Sequence, residues 1–244
     1  MHFDKTDKVL IVAAHPDDEV LGMGGTIKKF TKQKHNVKII LFATGIISRR
    51  STNYKNSTRY KVDKKTDKKM KAQVDMLRNE AKGAAKILGV SDIEFLDFPD
   101  NEMDSISNLQ IIKEIERIIQ KFRPDQVFTH SMFDVNVDHR SLYLATLAAT
   151  RPKKGTKIKK VYAFEIPSST EWYFPTQFSP NTFVDISNEI KAKIQALKKY
   201  NNELEVFPHP RSIDAINSIS KKWGSVSGFM NAEAFYLIRE LKDK

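Results

Sequence analysis

The chain has no cysteine among its 244 residues. This absence excludes a disulfide scaffold, a metal site built from thiolates and a cysteine nucleophile. The sequence also lacks a long apolar run. No stretch approaches the roughly 18 apolar residues that cross a membrane, and no apolar segment follows a basic start. We therefore expect a soluble, cytoplasmic protein. Its length and hydrophobic content of 40% suit a single domain over residues 1–244.

Positive charge is unevenly distributed along the chain. The formal net charge is +11, which raises nucleic acids and membrane surfaces as partners. Residues 48–71 contain ten Lys or Arg against two Asp, whereas the rest of the chain carries 31 basic and 28 acidic residues. We interpret residues 45–69 as a polar, basic and solvated loop or lid, with steering of an anionic sugar as one alternative role. Nucleic-acid binding through Tyr54 and Tyr60 is an alternative, but we do not expect a nucleic acid as partner.

Strand and helix patterns alternate along most of the chain. Strands are predicted at residues 8–14, 36–44, 93–98, 126–131 and 157–167, and helices at residues 24–35, 70–88, 107–122 and 138–150. This alternation predicts an α/β fold with a mostly parallel sheet covered by helices on both faces.

The part of the chain from about residue 168 is mixed in character. It contains a predicted short strand at 182–185, helices at 187–201 and 212–223, and a segment at 232–240 that fits a strand better than a helix. The side chains expected to face inward are Ile27 and Phe30 in the first helix and Leu109, Ile112, Ile115 and Ile119 in the third.

The first strand ends in the sequence His15-Pro16-Asp17-Asp18-Glu19. Pro16 restricts its own backbone and that of His15, so the turn is rigid and can aim His15 and Asp18 at one point. An imidazole and a carboxylate together suit a divalent metal such as zinc. The alternative is an acidic helix N-terminus, which explains the three acids but not the His-Pro before them.

A second polar cluster follows the strand at 126–131. Its members are His130, Asp134, Asn136, Asp138, His139 and Arg140. The carboxyl ends of strands in such a sheet lie at one edge, so this cluster and the first motif are expected to meet. His139 would then complete a set of two histidines and one carboxylate, with an open position for water. Asp138 would orient a neighbouring group, and the alternative, in which it caps the following helix, is compatible with that role.

The two motifs, residues 15–19 and 138–140, together resemble the PIG-L/LmbE-like family of metal-dependent N-deacetylases. Further similarity lies at Pro124-Asp125 and in residues 167–172, 207–212 and 232–235. The resemblance implies a Rossmann-like fold. It also implies a hydrolase that cleaves the amide of an N-acetylated amino sugar, such as an N-acetylglucosamine-type glycoside or polysaccharide precursor, with zinc or another divalent ion as cofactor.

The resemblance also implies roles for individual residues. It makes His15, Asp18 and His139 the metal ligands and Asp17 the general base that takes a proton from the attacking water. Many relatives have a second histidine three residues before the last ligand, where it aids the oxyanion. Asn136 occupies that position here. An asparagine can donate a hydrogen bond to the oxyanion but cannot act as a cationic acid.

Substrate contacts are expected at four residues: Arg78, Asp100, His209 and Arg211. Arg78 and Asp100 fall where relatives bind sugar hydroxyls. His209 and His130 are candidates to replace the missing oxyanion histidine. Arg211 would bind a phosphate or carboxylate on a larger substrate, or it would cap a helix.

Two further functional hypotheses stay open. A dinucleotide-binding protein is disfavoured because Gly22, Gly24 and Gly25 do not complete a G-x-G-x-x-G motif, whose last position is Ile27. A catalytically silent carbohydrate-binding member of the same fold is disfavoured by Asp17, because metal binding alone would not need that residue.

Overall fold

Strands and helices alternate through most of the computed structural model, which describes residues 7–45 and 64–242. The strands are β1 (Lys8–Ala13), β2 (Asn36–Ala43), β3 (Asp92–Phe98), β4 (Gln126–His130), β5 (Lys160–Phe164), β6 (Thr182–Asp185) and β7 (Ala232–Glu240). The α-helices are α1 (Asp18–Lys32), α2 (Lys64–Leu88), α3 (Asn108–Phe122), α4 (Val137–Ala149), α5 (Ile190–Leu197) and α6 (Ile213–Ser227).

The strands form one seven-stranded sheet in the order β3-β2-β1-β4-β5-β7-β6. Strands β1 to β5 pair in parallel, whereas β7 pairs antiparallel with both β5 and β6. The predicted α/β fold with a mostly parallel sheet is thus confirmed. The predicted strand at residues 232–240 is confirmed as well.

Strand β1 has apolar side chains on both of its faces because each face of the sheet is covered. Val9 and Ile11 pack into a core with residues of α1, α2 and α5. Leu10 and Val12 pack into a second core with residues of α3 and α4. Because β1 is packed on both faces, its position is fixed, and so is the starting point of the turn that follows it.

Helix α1 begins at Asp18, six residues before the predicted start at residue 24. The prediction read the glycines as a place where a helix can start, but they lie inside the helix. Their physical role is close packing. A Cβ on Gly22 would lie 2.5 Å from the Phe164 ring, and one on Gly25 would lie 2.8 Å from Ile186.

A buried ion pair stabilises a break in α1 at Met23, whose φ of −151° and ψ of 24° are not helical. The Lys193 ammonium donates to the Leu21 carbonyl at 2.8 Å. On the other side of the break, the Glu233 carboxylate accepts from the backbone N–H groups of residues 25 and 26 at 2.9 and 2.6 Å. Lys193 and Glu233 are 2.7 Å apart and buried, so together they satisfy the backbone groups that the break leaves without helical partners.

The predicted boundaries of other helices are wrong as well, and α6 continues to Ser227 instead of ending at residue 223. Helix α2 starts at Lys64, so residues 64–69 of the predicted loop are helical, while residues 46–63 lie outside the described residues. Helix α5 covers only part of the predicted 187–201, because after Leu197 the backbone tightens into a turn with Tyr200 N–H bonded to the Leu197 carbonyl.

The inward face predicted for α3 is partly wrong. The buried residues are Ile111, Ile115, Ile118 and Phe122, whereas Leu109 is 59% exposed. The predicted and the observed sets are two overlapping apolar stripes with similar spacing. The stripe that faces the sheet is the one that is buried. Ile27 and Phe30 of α1 are buried, as predicted.

Within the described part of the chain, none of the helices is both long enough and apolar enough to cross a bilayer.

We expect Glu233→Ala to lower the free energy of unfolding by about 3–5 kcal/mol. The substitution leaves the Lys193 ammonium buried without its carboxylate and removes the acceptor of two N–H groups in α1. Urea unfolding measures the loss. The control is Lys113→Ala, which removes an exposed ion pair with Glu116 and should cost at most about 1 kcal/mol. A Glu233→Ala loss no larger than that of the control would contradict this role.

Candidate active site

The first polar motif and the second meet at the carboxyl edge of the sheet. Strands β1 and β4 are adjacent and parallel, so the residues that follow them leave at the same edge. His15 lies in the turn after β1, Asp18 opens α1, and His139 lies in the first turn of α4. All three side chains are buried.

Three ligand-type atoms converge on one point. The Oδ2 atom of Asp18 is 3.3 Å from His15 Nδ1 and 3.3 Å from His139 Nε2. Potential ligand atoms of these three residues lie within 4.8 Å of one another. The other carboxylate oxygen, Asp18 Oδ1, is buried and has no hydrogen-bond partner among the described residues. Two imidazoles, one carboxylate and an unsatisfied buried oxygen fit a divalent cation such as zinc.

The electrostatics of this cluster favour bound positive charge. Burial alone would lower the pKa of His139, yet Asp18 and Asp134 raise it to about 9. Burial alone would raise the pKa of Asp18, yet His139, His15 and His130 hold it well below its usual range. The same surplus of negative charge that retains a proton on His139 would retain a metal cation.

Asp138 orients His15 by contacting the ring nitrogen that faces away from Asp18. Its Oδ2 atom is 3.1 Å from His15 Nε2, and Asp100 Oδ1 is at the same distance from that nitrogen. The backbone N–H groups of Asn101 and Met103 donate to the Asp138 carboxylate at 2.7 and 3.0 Å. With Nε2 facing carboxylates, Nδ1 of His15 faces Asp18, and its lone pair would be free for a cation held between the two.

The alternative in which Asp138 caps α4 is wrong, because Asn136 is the N-cap. Its side-chain Oδ1 accepts from the Asp138 N–H at 2.9 Å. Its Nδ2 atom donates to Asn101 Oδ1 at 2.9 Å. Asn136 is therefore held at both ends of its amide, and it lines the same cavity as His15.

Asp134 is a residue to which sequence reasoning gave no role. Its Oδ2 atom lies 3.0 Å from His139 Nδ1. The carboxylate also accepts from the hydroxyls of Ser169 and Thr170 and from the Asn136 N–H. The signal that could have found it is an acid in the loop just before a predicted histidine ligand, since ligating imidazoles usually turn their other nitrogen to a carboxylate.

Asp17 occupies a strained position between the strand and the helix. Its φ of 108° is in a region that a side chain rarely adopts. The Glu19 carboxylate stabilises the turn by accepting from the Asp17 N–H at 3.1 Å, and it also accepts from the Tyr200 hydroxyl. Burial raises the pKa of Asp17 to about 7, although the Arg211 guanidinium opposes the shift. The hydrogen bond that Glu19 accepts from the Asp17 N–H gives Glu19 a structural role in this turn.

Arg211 contacts protein groups with its guanidinium. Nη1 donates to Asp17 Oδ2 at 2.9 Å and lies 3.4 Å from Glu203, while Nε donates to Ser168 Oγ at 2.8 Å. The helix cap that follows is Ser212, so Arg211 does not cap α6. Binding of an anionic substrate group by Arg211 stays a prediction.

A cavity of about 180 Å³ opens beside these groups. Its lining residues are His15, Pro16, Asp17, Gly45, Asp100, Asn101, Asn136, Glu203 and Arg211. Of the four predicted substrate contacts, Asp100 and Arg211 belong to this lining, whereas Arg78 and His209 do not. Arg78 pairs with Asp97 at 2.6 Å, and His209 Nδ1 accepts from the Arg211 N–H at 3.1 Å. Their substrate roles stay predictions.

Comparison with known proteins identifies the family. The PIG-L family, described as GlcNAc-PI de-N-acetylase, matches residues 10–150, which is more than half of the chain. The chain therefore belongs to the PIG-L family, and the resemblance inferred from the two motifs is confirmed. Diacetylchitobiose deacetylase from Thermococcus kodakarensis is 27% identical over 244 residues, which span 97% of this chain and 85% of that protein.

Solved structures with the same fold include more than one kind of enzyme. The N,N'-diacetylchitobiose deacetylase from Pyrococcus horikoshii has a TM-score of 0.74 at 20% identity, covering 96% of this chain and 84% of that one. GalB, the 4-carboxy-2-hydroxymuconate hydratase from Pseudomonas putida, has a TM-score of 0.69 at 21% identity, covering 98% of each chain. The fold alone therefore does not fix the reaction.

We expect Asp134→Asn to weaken binding of a divalent metal about 10- to 100-fold, because His139 loses the carboxylate that orients it. Competition with a chromophoric chelator measures the affinity for Zn²⁺. Asp214→Asn, which makes the same chemical change at an exposed position on α6, is the control and should bind as the unmodified protein does. Unchanged affinity in Asp134→Asn would mean that His139 keeps its orientation without this acid.

Proposed function

We propose that this protein is a metal-dependent hydrolase that removes the acetyl group from an N-acetylated amino sugar. The observation that carries the proposal is the convergence of His15, Asp18 and His139 beside the buried carboxylate of Asp17. Membership of a family described as a de-N-acetylase supports it. The relative from Thermococcus kodakarensis, named as a deacetylase of an acetylated disaccharide, supports the same reaction class.

In this proposal His15 Nδ1, the Asp18 carboxylate and His139 Nε2 hold the metal, and we assign it as zinc. Two imidazoles and one carboxylate make a typical catalytic zinc site. When bound, such an ion polarises a carbonyl oxygen and lowers the pKa of a water molecule. Asp138 and Asp134 contact the other ring nitrogens of these histidines, His15 Nε2 and His139 Nδ1, respectively.

Asp17 is the general base in this mechanism. It lines the cavity, and it is separate from the three ligands although it directly precedes one of them. Its carboxylate takes a proton from the water that attacks the acetyl carbonyl, and it returns that proton to the amine nitrogen as the C–N bond breaks. Arg211 and Glu19 hold Asp17 in place from its side chain and its backbone, respectively.

Asn136 is our candidate for stabilising the oxyanion. Its Nδ2 atom carries two hydrogens, one of which is donated to Asn101. We assign the other to the oxygen that gains negative charge during attack. Because an amide cannot release a proton at neutral pH, the proton for the leaving amine comes from Asp17 in this scheme.

Asp100 is the substrate contact that the geometry supports best. It lies on the cavity lining, where its carboxylate can accept hydrogen bonds from sugar hydroxyls. A substrate with an anionic group, steered by the basic segment at residues 48–71, extends the proposal. Most of that segment lies outside the described residues.

The direct experiment measures free amine and acetate released from N-acetylglucosamine, a glycoside of it, N,N'-diacetylchitobiose and a nucleotide-linked N-acetylhexosamine. We expect equimolar amine and acetate from at least one of these with Zn²⁺-loaded protein, and none after the metal has been removed with a chelator. Folded, metal-loaded protein that releases nothing from any of the four would count against the proposal.

We expect Asp17→Asn to keep its metal but to lower kcat by about 10²- to 10⁴-fold, since it removes the base while leaving the ligands in place. Metal content and kcat are measured on the same preparation.

His139→Ala should instead lose metal and activity together. Asp92→Asn is the matched control. Asp92 is the first residue of β3, at the sheet edge opposite to the cavity, so this variant should turn over at the unmodified rate. A near-normal rate for Asp17→Asn at saturating metal would remove it as the base.

A further inference from the structure

A third histidine lies against the metal-binding cluster. His130 is the last residue of β4 and is fully buried. Its Nε2 atom is 3.6 Å from Asp18 Oδ2, close enough to suggest a fourth ligand. It does not, however, belong to the group of ligand atoms that converge from His15, Asp18 and His139.

The hydrogen bonding of His130 defines its tautomer. The backbone N–H of Ala14 donates to His130 Nε2 at 2.8 Å. A backbone N–H can only donate, so Nε2 is the acceptor and the ring proton lies on Nδ1. The lone pair that could bind a metal is therefore engaged by the main chain, one residue before His15.

The ring of His130 also supports the other histidine ligand. Its centroid is 4.0 Å from that of His139, and the two planes differ by 8°, so the rings stack face to face. Phe164 packs against His130 at 4.9 Å. His139 is thus held on its face by His130 and at its Nδ1 edge by Asp134.

We propose that His130 is a positioning residue that fixes both histidine ligands at once. Its Nε2 atom holds the backbone that carries His15, and its ring sets the plane of His139. The inference rests on the proposed ligand set of His15, Asp18 and His139. It also removes His130 as the replacement for the oxyanion histidine, because the ring is fully buried and is not part of the cavity lining described above.

Isotope spectroscopy on the unmodified protein tests the tautomer and the ligand set together. Protein labelled with ¹⁵N-histidine is loaded with ¹¹³Cd²⁺, and long-range proton–nitrogen spectra are recorded. We expect cadmium coupling to one nitrogen of His15 and one of His139, with His130 uncoupled and protonated on Nδ1. Coupling to His130 would overturn the inference, whereas absence of coupling to His15 and His139 would overturn the ligand set instead.

Two substitutions separate the contributions of His130. Gln places its Oε1 near the position of Nε2 and keeps an acceptor for Ala14 without an aromatic ring. Phe keeps the ring and leaves the buried Ala14 N–H without its acceptor. We expect both His130→Gln and His130→Phe to weaken Zn²⁺ binding about tenfold while the protein stays folded.

The control for these variants is Thr129→Val, on the same strand, which removes a buried hydroxyl contact with Thr146. It should lower stability without changing Zn²⁺ affinity. Unchanged Zn²⁺ affinity in both His130 variants would refute the positioning role. Complete loss of metal, as expected for His139→Ala, would make His130 a ligand. If the variants do not fold, the spectroscopy of the unmodified protein decides the question.

Discussion

The candidate site depends on compensating the negative charge of carboxylates that are buried away from water. Five buried aspartates lie at one edge of the sheet: Asp17, Asp18, Asp100, Asp134 and Asp138. A buried carboxylate is costly unless charges or hydrogen bonds compensate it. Backbone N–H groups and hydroxyls compensate Asp134 and Asp138, and Arg211 compensates Asp17. Asp18 faces two imidazoles and keeps one oxygen without a hydrogen bond in the described part of the chain, so the need for positive charge is concentrated there.

Sequence patterns predict well what neighbouring residues determine. The alternation of strands and helices, and the placement of His15, Asp18 and His139 at adjacent strand ends, follow from local apolar runs and from the geometry of parallel sheets. The pairing of Arg211 with Asp17 does not, because the two residues are 194 positions apart and no periodicity connects them. The early start of α1 was missed for a similar reason. A glycine-rich stretch disfavours helix locally, and the distant Lys193–Glu233 pair bonds to backbone groups on both sides of the break.

The candidate site combines closely packed side chains with a cavity lining drawn from loops. His139 is supported by a stacked ring and by a carboxylate, whereas the cavity of the candidate site is lined by groups from loops and chain turns. A shared fold can then carry different reactions, as the similar hydratase and deacetylase structures do. The chemistry is decided by which base and which donors line the cavity, and here these are Asp17 and Asn136 in our proposal.

Because residues far along the chain stabilise the break in α1, the folding unit extends beyond the part of the chain that matches the family. The family match ends at residue 150, which invites the view that the first part of the chain is a self-sufficient catalytic module. Yet the Lys193 ammonium and the Glu233 carboxylate that complete α1 come from α5 and β7. Tyr200 and Arg211 bond to Glu19 and Asp17 in the turn between β1 and α1. A fragment that stopped at the family boundary would lose all four of these groups. The end of the family match and the limit of the cooperating structure therefore fall at different places in this chain.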